Sequence, residues 1–187
     1  MKISELTINQ VDELLELEEK MYWENDKWGD LWKQEAKEKF RNFITEYLNN
    51  FPKGCFGLVD ERDNLLGAFF ILKTSQITPI PYLHTPSNYY SEKGNVAYVS
   101  FFVVRRGQNE DEIAQKLYDN AEEVALLKLR CKHIAVLIYS SPLEENILIG
   151  NNYEKQPQQY EWEIYPGKRV KSWIYVSSLL MEQTLIS

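Results

Sequence analysis

The chain has 187 residues, 44% hydrophobic and 26% charged, with a net charge of −7 and a pI of about 5.0. So much apolar content excludes an intrinsically disordered chain. The acidic balance, with no basic cluster beyond Lys168, Arg169 and Lys171, excludes a general nucleic-acid binder. No stretch reaches the roughly 20 apolar residues needed to span a bilayer. Met1 to Glu5 carries no apolar leader, so a cytoplasmic protein with one domain over residues 1–187, and no membrane partner, is expected.

Lys2 to Thr7 alternates and predicts a short strand. Asn9 then caps a helix in which Val11, Leu14, Leu15, Leu17 and Met21 recur at helical spacing. Tyr22 to Asp30, rich in Trp, Asn and Gly, connects to a second helix over Leu31 to Asn49. Its stripe is Trp32, Ala36, Phe40, Phe43, Ile44, Tyr47 and Leu48, and Pro52 and Gly54 end it. Cys55 to Glu61 and Leu65 to Thr74 flank the turn signal Arg62-Asp63-Asn64 and predict a hairpin. Gln76 to Asn95, interrupted by Pro79, Pro81, Pro86 and Gly94, has no periodicity, and loops of that length are usually functional or disordered.

Val96 to Val104 is an almost unbroken apolar run, as expected of a central strand buried on both faces. Glu110 to Arg130 predicts a helix lined by Ile113, Ala114, Leu117, Ala121, Val124, Ala125 and Leu127. The acids Glu110, Asp111 and Glu112 in its first turn suit the helix dipole. Ile134 to Tyr139 is a second buried strand, and Leu143 to Ile149 a short helix ending at Gly150. Tyr160 to Tyr165 and Ser172 to Leu180 are two final strands around a Pro166-Gly167 turn.

Cys55 and Cys131 lie in or beside apolar runs and read as buried free thiols. Two His and two Cys, scattered along the chain, are too few for a zinc site, so no metal is expected. No Walker loop, dinucleotide fingerprint or nucleophile elbow is present.

The order of elements (strand, two helices, three strands, helix, strand, short helix, two strands) resembles that of the GNAT superfamily of acyl-CoA N-acyltransferases over nearly the whole chain, most strongly from Val96 to Tyr153. The resemblance implies an α/β fold with a mixed, mostly antiparallel sheet of about seven strands and helices on both faces. It also implies an acyl-CoA site whose pyrophosphate loop follows the fourth strand, on the pattern V-x-x-x-x-[QR]-x-x-G-x-[GA]. There, free N–H groups at a helix N-terminus receive the phosphates, and Gly lets the backbone come close. With Val104 first, Asn109 stands at the Gln/Arg position, Glu112 at Gly and Ala114 at Gly/Ala. Shifted by one, these positions fall on Gln108, Asp111 and Ile113. By the resemblance, the backbone of Val103 and Val104 holds the pantetheine arm, and the loop with Arg106, Gly107, Gln108, Asn109 and Ala114 receives the pyrophosphate of acetyl-CoA.

In that family a Tyr on the short helix protonates the departing thiolate. Here that position falls on Leu148, with Tyr139 and Tyr153 as substitutes. For the general base, Glu92 and His84 are the candidates. The resemblance places the acceptor site among two aromatic segments, with Trp23 and Trp28 in one and Tyr82 and Tyr89 in the other. Aromatic faces beside Glu24, Asp26 and Asp30 suit a cationic amine. The implied activity is transfer of an acetyl group from acetyl-CoA to a primary amine of a small molecule or peptide. The alternative is a catalytically inactive, GNAT-derived binding or regulatory module that no longer uses acyl-CoA. A third reading makes the Trp-rich segment a homodimer contact.

Overall fold

The computed structural model describes residues 1–23, 33–74, 95–107, 109–139, 141–165 and 168–179. Their strands are β1 (Lys2–Glu5), β2 (Cys55–Val59), β3 (Leu65–Lys73), β4 (Val96–Val104), β5 (His133–Tyr139), β6 (Glu154–Tyr165) and β7 (Lys168–Ser178). The helices are α1 (Val11–Glu18), α2 (Gln34–Asn50), α3 (Glu110–Glu123) and α4 (Pro142–Gly150). Single π-helical turns extend α1 over Glu19–Trp23 and α3 over Val124–Lys128.

One seven-stranded sheet runs in the order β1-β2-β3-β4-β5-β7-β6. Among the described residues its only parallel pair is β4 with β5; the other pairs are antiparallel. The expected mixed, mostly antiparallel sheet is therefore present. Helices cover both faces because successive side chains of a strand point to opposite sides. Phe70 and Phe101 turn to α2, where Phe70 stacks on Tyr47 and Phe101 lies against Phe40. Phe69 and Phe102 turn the other way, to Phe56 and to Tyr118 of α3. β2, β3 and β4 are buried almost throughout, which explains their near-continuous apolar sequence.

Some boundaries differ from the sequence expectation. The helix foreseen over Glu110–Arg130 gives way after Glu123 to the π-helical turn and closes with Arg130 at a φ of 55°. The strand foreseen from Tyr160 begins at Glu154, with an irregularity between Lys155 and Gln159 where Pro157 stands. Both cysteines are buried, and neither forms a disulfide. The Pro166-Gly167 turn lies outside the described residues.

Gly67 fixes how closely α3 lies on the sheet. A Cβ there would meet the Val103 carbonyl oxygen at 2.7 Å and Leu117 Cδ1 at 2.8 Å. Gly150, at the end of α4, has no atom within 4 Å of the same position. Gly67→Ala is expected to lower unfolding free energy by about 1–3 kcal/mol through overpacking. Gly150→Ala is expected to raise it by about 0.5–1 kcal/mol through the unfolded state. Denaturant titrations of the two variants check both signs.

Candidate active site

The site begins with an irregularity in β4. Phe70 pairs with Phe101, but the next residue, Ile71, pairs with Val99, so Ser100 is one residue more than β3 can match. Such a bulge bends its strand. Pairing between β4 and β5 runs only from Val96↔His133 to Val99↔Val136. Beyond it, Phe101 to Val104 continue against β3, while Leu137 to Tyr139 continue against β7. The two parallel strands separate at the bulge and leave a gap bordered by main-chain groups of β4. The bulge is held from the α2 side: Ser100 Oγ donates to the Phe70 carbonyl oxygen at 3.3 Å and lies 2.5 Å from Tyr47 Oη.

Side chains from α1 and α4 meet in this gap. The π-helical turn after α1 brings Met21 Sδ to the Val104 N–H at 3.2 Å and Tyr22 Oη to the Phe102 carbonyl oxygen at 3.0 Å. Across from them, α4 starts at Ser141, whose side chain accepts the Glu144 N–H. This first turn aims the Glu144 carboxyl inward, 3.2 Å from Tyr22 Oη and 3.3 Å from Tyr118 Oη of α3. Glu144 is buried, and its pKa is raised to about 7. Burial is the main cause, while hydrogen bonds from Ser141, Tyr22 and Tyr118 and the charge of Arg106 pull it back. Glu18, at the end of α1, is also buried. Desolvation first, and the neighbouring Glu144 charge in addition, push its pKa up to about 8, although it accepts a hydrogen bond from Trp23 Nε1 at 3.3 Å.

The loop after β4 closes the other end of the gap. Gly107 has a φ of 149°, a region open to glycine and costly for other residues. Its N–H points at Glu110 Oε2 at 3.4 Å, and Arg106 Nη1 approaches the same oxygen at 3.5 Å. An amide and a guanidinium thus form an anion cradle, in which the chain's own carboxylate sits. Arg105 turns the other way, donating from Nη2 to the Leu65 carbonyl oxygen at 2.8 Å.

No protein-family model and no curated protein matches the chain. Solved structures do. An aminoglycoside 6'-acetyltransferase type Ii aligns with a TM-score of 0.62 at 14% identity, covering 97% of this chain and 99% of that one. A GNAT-like decarboxylase, GphF, in complex with isobutyryl-CoA, aligns with a TM-score of 0.69 at 11% identity, covering 96% and 100%. A variant of the spermidine N-acetyltransferase SpeG from Vibrio cholerae aligns with a TM-score of 0.63 at 12% identity, covering 96% and 95%. The chain has the GNAT fold.

On the GNAT fold the residues named from the sequence divide as follows. Val103 and Val104 lie on β4, fully buried, beside the gap. Arg106 and Gly107 form the cradle, Asn109 directly precedes α3, and Ala114 is buried inside that helix. Of the three acids, only Glu110 folds onto the loop; Glu112 pairs with Lys116 at 2.7 Å, and Asp111 is exposed. Tyr139 ends β5 half-buried, its ring 6.0 Å from that of Tyr22 and 6.0 Å from that of Trp162. Trp23 is buried against Glu18. Tyr153 packs edge-on against Tyr118, and Leu148 is fully buried. Glu92, His84, Gln108, Trp28, Tyr82 and Tyr89 lie outside the described residues. Among the described residues no acid, His and Cys grouping suits a metal, and no helix is long and apolar enough to cross a membrane.

Glu18 and Glu144 were missed in the sequence, although a signal was present. Each is a carboxylate on an apolar helical stripe, Glu18 between Leu14, Leu15 and Met21, Glu144 ahead of Ile147 and Leu148. Both have folded-state pKa values above the unfolded one, so the native state binds more protons in between. Their contribution is greatest below about pH 4.5 and is lost as pH rises through about 7 for Glu144 and about 8 for Glu18. Unfolding free energy should therefore fall from pH 5 to pH 8. Glu18→Gln and Glu144→Gln should each flatten part of that slope in denaturant titrations across the range.

Proposed function

We propose that this chain is a GNAT-type N-acyltransferase that moves an acetyl group from acetyl-CoA to a primary amine of a small molecule or peptide. The observation that carries the reading is the separation of β4 from β5 at Ser100, which leaves main-chain groups of β4 beside a gap with an anion cradle at one end. An extended amide-bearing arm can pair with such groups as a short extra strand would, and a diphosphate suits an N–H and a guanidinium. The structural neighbours include an aminoglycoside 6'-acetyltransferase and a spermidine N-acetyltransferase, whose named substrates are amines, and a GNAT-like decarboxylase in complex with isobutyryl-CoA.

Each group that acetyl-CoA would use has a substitute from the chain itself: Met21 on the Val104 N–H, Tyr22 on the Phe102 carbonyl, Glu110 in the cradle. These substitutes are weak. A neutral hydrogen bond is worth about 1 kcal/mol net, and an exposed ion pair about 0–1 kcal/mol. Micromolar binding amounts to about −8 kcal/mol, enough to displace them. Val103 and Val104 would then hold the arm, and Arg106 and Gly107 the pyrophosphate. The reaction needs the neutral amine held against the thioester, and much of its rate can come from that positioning. The same substitutes favour a second reading, in which the gap has closed for good and the chain is a non-catalytic binding or regulatory module.

Calorimetric titration with acetyl-CoA, and separately with CoA, distinguishes the two. Saturable binding in the range of about 1–100 µM is expected. Arg106→Ala should weaken it about tenfold, and Glu110→Gln should tighten it several-fold by emptying the cradle of a competing charge. Absence of binding at millimolar ligand in both wild type and Glu110→Gln would establish the non-catalytic module.

A further inference from the structure

Tyr22 Oη touches two groups at once, the Phe102 carbonyl oxygen at 3.0 Å and Glu144 Oε2 at 3.2 Å. A phenol has one hydrogen to give. A carbonyl can only accept, and so can an ionised carboxylate. Both contacts are hydrogen bonds at the same time only if the Glu144 carboxyl carries a proton. Glu144 Oε2–H then donates to Tyr22 Oη, and Tyr22 passes its own hydrogen to Phe102. The other carboxyl oxygen, Oε1, accepts from Tyr118 Oη at 3.3 Å, so the protonated network has no mismatched contact.

Ionisation breaks this arrangement. When Oε2 gives its proton to solvent, it must take the hydrogen of Tyr22. Phe102 then keeps a carbonyl in the gap with no donor, and leaving a buried carbonyl unpaired is unfavourable. A buried negative charge appears beside Glu18 as well. We propose that Glu144 is a proton-operated latch: protonated, it leaves the Tyr22 hydrogen on the Phe102 carbonyl and ties Tyr22 across the gap to β4, and deprotonated, it draws that hydrogen to itself, frees the Phe102 carbonyl and opens the β4 edge. The latch regulates the gap assigned above to acyl-CoA, and its functional consequence rests on that reading.

The surroundings set where the latch trips. Burial favours the proton, while hydrogen bonds from Ser141, Tyr22 and Tyr118 and the Arg106 charge favour its loss. The Tyr139 ring of β5 lies 6.0 Å from that of Tyr22, tilted by 44°. The balance brings Glu144 to about 7, so the change falls at neutral pH. Opening on the alkaline side coincides with the protonation state that transfer needs, because only the neutral amine is a nucleophile.

The test needs no ligand. Hydrogen–deuterium exchange of peptides covering 100–104 is followed from pH 6 to pH 8.5 and normalised to intrinsic amide rates. In wild type, protection of this segment should fall with rising pH, by up to about tenfold per pH unit where one proton is released on opening. Glu144→Gln cannot ionise and can still donate to Tyr22, so its protection should be high and independent of pH. Tyr22→Phe should be poorly protected at every pH. Glu18→Gln should keep the slope. Peptides over β5 (134–136) report whether a variant is folded; if Glu144→Gln is not, the Tyr22→Phe and Glu18→Gln profiles decide. A wild-type slope retained in Glu144→Gln, or a slope lost in Glu18→Gln instead, overturns the proposal. Acetyl-CoA that fails to bind while the exchange slope persists removes the acyl-CoA reading and leaves the latch in place.

Discussion

A strand with one residue more than its neighbour must bend, and in β4 that residue is Ser100. Everything at the site follows from the bend. β3 keeps its hold on β4 to the end, so the strain falls on the other edge, where four residue pairs with β5 form and then stop. Tyr47, buried in α2, lies against the bulged side chain and ties the bend to the helix layer. Without the extra residue, β4 and β5 would pair along their whole length, and the main chain of Phe102 and Val104 would be used up within the sheet.

Main-chain groups freed in this way must be satisfied. Two solutions are open, a ligand or the chain itself, and in this structure the chain supplies Met21, Tyr22 and Glu110. Thioether sulfur is a poor acceptor, and the Glu110 contacts lie at the long end of the hydrogen-bond range. Weak internal partners satisfy these main-chain groups while remaining replaceable. The buried pair Glu18 and Glu144 is the costly part of the arrangement, since neither has a cation in hydrogen-bond contact among the described residues.

Much of the fold was legible because its central strands are buried on both faces and therefore read as plain apolar runs, Val96–Val104 above all. The bulge was not, because a single Ser in such a run looks like a tolerated polar residue until strand pairing shows that it has no partner. β6 begins six residues before its sequence signal. Glu154 and Lys155 have little intrinsic preference for a strand and are held there by pairing with β7, with Lys155 lying over the ring of Trp173. At the site, the loop from Arg106 could be found from its place after a central strand, whereas the inward aim of Glu144 depends on the Ser141 cap and on helix phase.

The sheet order also has a consequence for how the protein is made. β7 follows β6 in the chain but lies between β5 and β6. As residues emerge during synthesis, β6 has no strand to join, and one edge of β5 stays unpaired, until β7 arrives. The growing chain therefore passes through a stage with two exposed strand edges, rich in Ile134, Val136 and Ile138 on one side. Glu154, Lys155, Pro157 and Glu161, exposed on the waiting strand, make it a poor template for other chains during that interval.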